Sequence, residues 1–411
     1  MRSSRFVSLC LITLAMLLTP ALGRAQNPDP QALQQEIDRL KGQLAALQQQ
    51  YDARLAALEA RIESGPASAM AQVEPSPGPL PATPSAGVGN GKVFTPDLSV
   101  IAHLAGAAGK NPLSDQPSLS LSEVEAAFQA VVDPYARADF FLSVSPEGID
   151  VEEGYATFTS LPAGLLLKAG KMRAQFGKVN TMHTHILPWA DRPLVSQNLL
   201  GGEEGLSDAG LSVSKLIPNG FMFIDATGEV YRGDSAVFQS DARSRLNYLG
   251  RLRGYRDLTE GTNLDIGLSY AHGPSGDFPV LDKQLTGLDA TFRYRPLRRA
   301  LYKQFVGRTE LIWSRQNMPT GSQMRAFGLY GSADYQFARR WFVGVRGDRS
   351  ERVLDRTLRD TGGSLALTFR PSEFSLVRGQ YRRTQYAEAI TANELLFQIN
   401  FAIGAHGAHT F

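Results

Sequence analysis

Residues 287–295 read GLDATFRYR. Leu288, Ala290, Phe292 and Tyr294 share one parity, and Asp289, Thr291, Arg293 and Arg295 share the other. Side chains that alternate sides at every residue belong to a β-strand, here apolar on one face and polar or charged on the other. Residues 326–337, AFGLYGSADYQF, repeat the pattern. There Phe327, Leu329, Gly331, Ala333, Tyr335 and Phe337 oppose Gly328, Tyr330, Ser332, Asp334 and Gln336. In residues 263–270, NLDIGLSY, Leu264, Ile266, Leu268 and Tyr270 oppose Asp265, Gly267 and Ser269. Strands of this length and character have the reach to cross a bilayer.

Sixteen such segments follow residue 96: 97–106, 121–132, 135–145, 151–160, 163–173, 208–217, 220–228, 246–256, 263–272, 285–296, 304–315, 325–337, 341–349, 362–370, 374–384 and 394–404. The connections after even-numbered segments are short, such as Asp133-Pro134, Leu161-Pro162 and Pro218-Asn219, and the longest of them is Leu297 to Lys303. Those after odd-numbered segments are mostly longer and more polar, including 107–120, 174–207, 229–245, 273–284, 316–324, 350–361 and 385–393. Short turns at one end and long loops at the other are the signature of an up-and-down transmembrane barrel, and an even strand number leaves both chain ends on one side. A soluble sandwich would explain the alternation but not the gaps, nor a second face charged on strand after strand. Tyr294, Tyr335, Phe337 and Trp341 fall near short turns and Tyr270, Trp313 and Tyr381 near long loops. They form two aromatic belts at the levels of the two membrane interfaces. The expected fold is all-β: a transmembrane antiparallel β-barrel of about 16 strands spanning 96–411.

The residues before the barrel change character twice. Residues 1–25 carry Arg2 and Arg5, an apolar run from Phe6 to Leu18, and small residues up to Ala25. This reads as a secretory signal peptide cut after Ala25, or after Gly23 as the alternative. The sole cysteine, Cys10, lies within it, so the mature chain has no disulfide and no thiol chemistry. In 26–63, Leu33, Ile37, Leu40, Leu44, Leu47 and Tyr51 alternate spacings of four and three, and Leu55, Leu58 and Ile62 continue the seam after a slip. That is a heptad pattern for a short α-helical coiled coil in the periplasm. Residues 64–95, rich in Pro, Ala, Ser and Gly, read as a linker.

A sixteen-strand barrel encloses an aqueous lumen. Its candidate lining groups are Arg137, Arg251, Arg253, Arg293, Arg308, Arg346, Arg378 and Arg382, with Glu123, Glu125 and Asp139. The connection from Ala174 to Ser207 is by far the longest, and its Leu, Ile and Trp content argues for a folded segment with a role of its own. Folded inward it would constrict the lumen and present Lys178, His183, His185, Asp191, Arg192, Glu203 and Glu204. On an extended segment His183 and His185 share a side, yet two histidines without a cysteine or other ligands make a weak metal site, and none is expected. His406 and His409 sit three apart and face opposite sides of a strand. A net charge of +2 gives no basis for nucleic-acid binding. No nucleophile motif marks an enzyme, no cofactor is implied, and the pre-barrel region is too short for the plug of an energy-coupled receptor.

KAGKMRAQFGKVN (168–180), DRPL (191–194) and GLSDAGLSVS (205–214) resemble the strand, long loop and strand of phosphate-selective porin O/P-type outer-membrane channels. The helix, linker and barrel ending in Phe411 fit the same resemblance. It implies a trimeric sixteen-strand porin with an inward-folded third outer loop, in the outer membrane of a Gram-negative bacterium. It also implies insertion by the barrel-assembly machinery through a terminal aromatic signal, Phe411, and selection of phosphate by an arginine ladder and a lysine cluster. The arginines have counterparts here. Lys168, Lys171, Lys178 and Lys215 are isolated, which favours passive diffusion of small solutes with a mild anion preference. The alternative expectation is an anchor whose coiled coil ties the membrane to the cell wall.

Overall fold

The computed structural model describes residues 96–114, 116–276, 281–353 and 355–404. The expected signal peptide, coiled coil and linker, together with His406, His409 and Phe411, lie outside the described residues. Sixteen strands form one closed antiparallel barrel. They are β1 (Asp97–Lys110), β2 (Ser120–Asp133), β3 (Ala136–Ser145), β4 (Gly148–Phe158), β5 (Leu165–Arg173), β6 (Ser207–Ile217), β7 (Phe223–Tyr231) and β8 (Asn247–Thr259). There follow β9 (Thr262–Pro274), β10 (Asp282–Tyr294), β11 (Gln304–Asn317), β12 (Gln323–Ala338), β13 (Trp341–Arg352), β14 (Asp355–Ser372), β15 (Ser375–Gln385) and β16 (Thr391–Gly404). Each strand pairs with its sequence neighbours, and β1 meets β16 in a register that sets His103 opposite Asn400. Closure leaves no unpaired edge, which a sheet in hydrocarbon requires.

The two faces are inverted relative to a soluble protein. In β9, Asp265 and Ser269 are buried while Ile266, Leu268 and Tyr270 are exposed. In β15, Arg378, Gln380 and Arg382 are buried while Val377 and Tyr381 are exposed. Apolar side chains therefore coat the outside, and polar ones line the lumen. Both sets of belt aromatics, Tyr294, Tyr335, Phe337 and Trp341 at one end and Tyr270, Trp313 and Tyr381 at the other, face outward. Among the described residues no helix is long and apolar enough to cross a membrane; strands do the spanning.

Some stretches that read as loops are strand. Residues 350–361 continue the β13–β14 hairpin, with Glu351 opposite Arg359 and Arg352 opposite Asp355. Likewise β9 and β10 stay paired as far as Pro274 and Asp282. Beyond the bilayer both faces of a hairpin meet water, so the apolar alternation fades while the hydrogen-bond ladder continues.

Candidate functional site

The segment 174–206, between β5 and β6, folds into the barrel and is largely buried. Its apolar residues Phe176, Val179, Leu187, Trp189, Val195, Leu199 and Leu200 pack on an inward patch of the wall made by Leu249, Leu285, Ile312 and Tyr330. Trp189 meets the Tyr330 ring edge-on at 5.2 Å. A short helix, α1 (Leu194–Leu199), lies within it. The wall breaks its polar-inward rule where this loop rests, so burial of apolar area helps hold the loop inside.

Polar contacts fix the loop on nearly every side. At its start, the Gly177 amide donates to Ser269 Oγ (3.1 Å) and the Lys178 amide to Glu310 Oε1 (3.2 Å). Farther along, the Ala190 amide donates to Gln380 Oε1 (2.9 Å), and Asn198 Nδ2 to Asp360 Oδ2 (2.9 Å). Asn400 Nδ2 donates to the His185 carbonyl (2.6 Å), and Arg378 Nη1 to the Leu187 carbonyl (2.9 Å). Asp191 forms the strongest tie. Its Oδ2 lies 2.8 Å from Arg346 Nη2 and 2.9 Å from Arg382 Nη1, both arginines being buried. Burial alone would raise the Asp191 carboxyl, but the two guanidiniums outweigh it and hold the group below its ordinary value.

Gly177 explains itself at this level. Its φ is +60°, and a Cβ there would run into the Glu310 carboxylate. Gly177→Val is expected to lower barrel stability by at least about 1–2 kcal/mol from the left-handed backbone alone. The readout is the temperature at which the full-length protein loses its folded gel mobility. An unchanged midpoint would show that the loop is not held at β11.

The candidate residues fall into three groups. Arg346, Arg378 and Arg382 lie beneath the loop and brace it. Arg251 is paired with Asp289 (2.9 Å), Arg253 with Asp265 (2.7 Å), Arg308 with Asp334 (2.5 Å), and Arg137 with Asp139 (2.8 Å). Arg293 makes one long bond to Asn263 (3.5 Å). Arg293 acts electrostatically on both Arg253 and Arg308, and Arg308 on Arg370, so they form one basic strip along the inner wall. Lys178 joins it through Asp265 at 3.3 Å; burial pulls its ammonium below the ordinary value, and Asp265 partly opposes this.

The third group is acidic. Glu123, Glu125, Glu152 and Glu153 converge on His183 and His185. The spacing of the two histidines suggests an extended segment. Instead a 3₁₀ turn, Thr184–Ile186, follows His183, and the rings still lie close, 5.7 Å between centroids. His183 Nδ1 is 2.5 Å from Glu152 and 2.8 Å from Glu125, and its Nε2 is 2.7 Å from Glu153. Burial lowers its tendency to hold a proton, yet these carboxylates overcome that and push it up to about 11. Strict alternation does not foresee Glu152 on the lumen side beside Glu153. A shift of register between Phe141 and Leu142 leaves Glu152 as the extra residue of a bulge, and the only trace of it in the sequence is the EE pair itself. Glu203 and Glu204 are exposed at the loop's end, and their carbonyls accept from Arg173 Nη1 at 3.2 Å each. Arg192 is buried and donates to the carbonyls of Val179 and Met182.

Two cavities flank the loop. One, of about 550 Å³, opens toward the long connections and is bordered by Glu123, Glu152, Lys171, Arg173, Glu203 and Glu204. The other, of about 300 Å³, lies along β4 to β8 and is bordered by Glu153, Lys168, Arg173, Thr181, Arg251 and Arg253. Arg173 lines both.

No protein-family model matches the chain. The barrel is similar to the anion-selective porin from Comamonas acidovorans, with a TM-score of 0.53 and 11% identity over 75% of this chain and 99% of that one. It is also similar to Pseudomonas putida OprB, with a TM-score of 0.54 and 10% identity over 75% and 94%. At these identities the likeness is one of fold: a sixteen-strand porin barrel. In sequence, an uncharacterized protein of Aquifex aeolicus (strain VF5) is 30% identical over 359 residues, covering 77% of this chain and 75% of that one. The chain belongs to the same family as that Aquifex aeolicus protein.

Proposed function

We propose that the protein is an outer-membrane porin through which small hydrophilic solutes and ions diffuse passively, anions in preference and phosphate among them. One observation carries this reading: the cavities on either side of the inward loop both border Arg173, which supports a polar route beside the loop. The anion preference rests on the strip formed by Arg253, Arg293, Arg308, Arg370 and Lys178, five basic groups against the four acids Asp225, Asp265, Asp289 and Asp334 set among them. A charged strip in a narrow, low-dielectric wall concentrates counter-ions. A homotrimer in the membrane lipid, inserted by the barrel-assembly machinery, fits the heptad seam and the family resemblance.

The test is conductance of the purified full-length protein in planar bilayers. Stepwise openings are expected, with a reversal potential that favours anions in a salt gradient. A protein that folds and inserts yet gives no steps would end the porin reading. A reversal potential of the opposite sign would end the anion preference alone.

A further inference from the structure

Glu123 and Glu125 lie against the start of the inward loop, beside His183 and His185. Both project inward from β2, with side chains 10% and 1% exposed. Glu123 Oε1 and Glu125 Oε1 are buried and accept no hydrogen bond. A buried carboxylate in that state is costly unless a cation answers it. His185 stands beside both, its Nδ1 4.0 Å from Glu123 Oε2 and its Nε2 3.9 Å from Glu125 Oε1. Those gaps are too wide for hydrogen bonds. They approach the spacing of about 3–3.5 Å between donors that each sit about 2.1 Å from one ion. One donor atom from each of the three residues lies within 4.8 Å of the others.

The neighbouring cations answer these glutamates only in part: Arg192 and His103 act on Glu123 through space, and none of them reaches Glu123 Oε1 or Glu125 Oε1 with a hydrogen bond. His183 Nε2 is hydrogen-bonded to Glu153, and its Nδ1 stands at ion-pair distance from Glu152 and from the other oxygen of Glu125. Arg173 is 3.6 Å from Glu152, and Arg192 donates to backbone carbonyls. The site is also built. A register shift between His103 and Leu104 puts a bulge in β2 beside Glu123, and the β4 bulge brings in Glu152. Bulges re-aim side chains in this way. Asn400 fixes the backbone of His185, and His103 is held at 2.8 Å by Asn400 Oδ1. Glu123 and Glu152 border the 550 Å³ cavity, which gives a small cation a way in.

We propose that Glu123, Glu125 and His185 hold one divalent transition-metal ion of the zinc class, which clamps the long loop to β2. An imidazole among carboxylates suits zinc, iron or manganese better than calcium or magnesium.

The experiment uses full-length folded protein in detergent, stripped with a chelator, equilibrated with zinc chloride and desalted. Metal per chain is then measured, with affinity by titration calorimetry. Retention of one zinc per chain is expected, together with loss of affinity by more than roughly tenfold in Glu125→Gln and His185→Gln. His406→Ala/His409→Ala should bind as the parent does. Folded gel mobility separates loss of the site from loss of the barrel. If both site variants misfold, zinc K-edge absorption of the parent protein decides: a shell with imidazole and carboxylate ligands supports the site, and an oxygen-only shell overturns it. Absence of retained zinc, or retention that depends on His406 and His409, also overturns it.

Discussion

Asp191→Ala is expected to release the long loop from β13 and β15 and to produce a larger, noisier single-channel conductance. The carboxylate lies between Arg346 and Arg382, both almost wholly buried, and Gln380 donates to its other oxygen. Arg382 keeps Glu394 (2.6 Å), and Arg346 keeps Asp348 (2.7 Å), so each arginine loses part of its shell rather than all of it. Removing one partner from a buried ion pair costs about 3–5 kcal/mol. The cost falls on the loop and on two wall arginines that keep their strand partners, which is why local undocking rather than barrel unfolding is expected. Asp191→Asn keeps the shape and should fall between. The same latch carries a pH dependence. Because the carboxyl is held below its ordinary 3.8 when docked, its contribution is complete above pH 3.8 and is lost as pH falls through the lowered value. Acid should therefore open the wild-type channel toward the mutant conductance and change the Asp191→Ala channel little. Equal conductance in wild type and mutant at neutral pH would refute the latch.

Arg293→Glu is expected to give the largest change in ion selectivity with the least damage to the wall. Its guanidinium makes one long bond, to Asn263 at 3.5 Å, whereas Arg253 and Arg308 are bound tightly to Asp265 and Asp334. It also sits between Arg253 and Arg308 in the basic strip. At about 8 Å from a passing ion, one unit charge is worth about 0.5 kcal/mol at a dielectric of about 80 and about 2 kcal/mol at about 20. Reversing the charge counts twice, so the anion-to-cation permeability ratio should fall at least about threefold. Arg293→Gln should give half the effect in free energy, and high salt should shrink both. A ratio unmoved by Arg293→Glu would place the selective element elsewhere in the lumen.

Alternation at period two was enough to assign faces. Asp289, Arg378 and Gln398 point inward as their parity requires, and Leu288, Val377 and Ile399 point outward. Parity is a local property of the extended chain, so neighbours in sequence suffice to read it. What does not follow locally is residue type, or the parity itself, where a non-local partner intervenes. Leu285, Ile312 and Tyr330 are apolar or aromatic yet face inward, because the long loop covers them. Glu152 faces inward because its strand is bulged against β3.

Sequence by itself therefore determined the strand number, the two faces and the presence of one outsized connection, since each follows from short-range periodicity and spacing. The tertiary structure alone decided where that connection goes. It set Asp191 between Arg346 and Arg382, more than 150 residues away along the chain. It also carried His183 and His185 onto the glutamates of β2 and β4. Those meetings depend on ring closure and on the loop's packing against the far wall, where contact partners are fixed by the enclosed space rather than by distance along the chain.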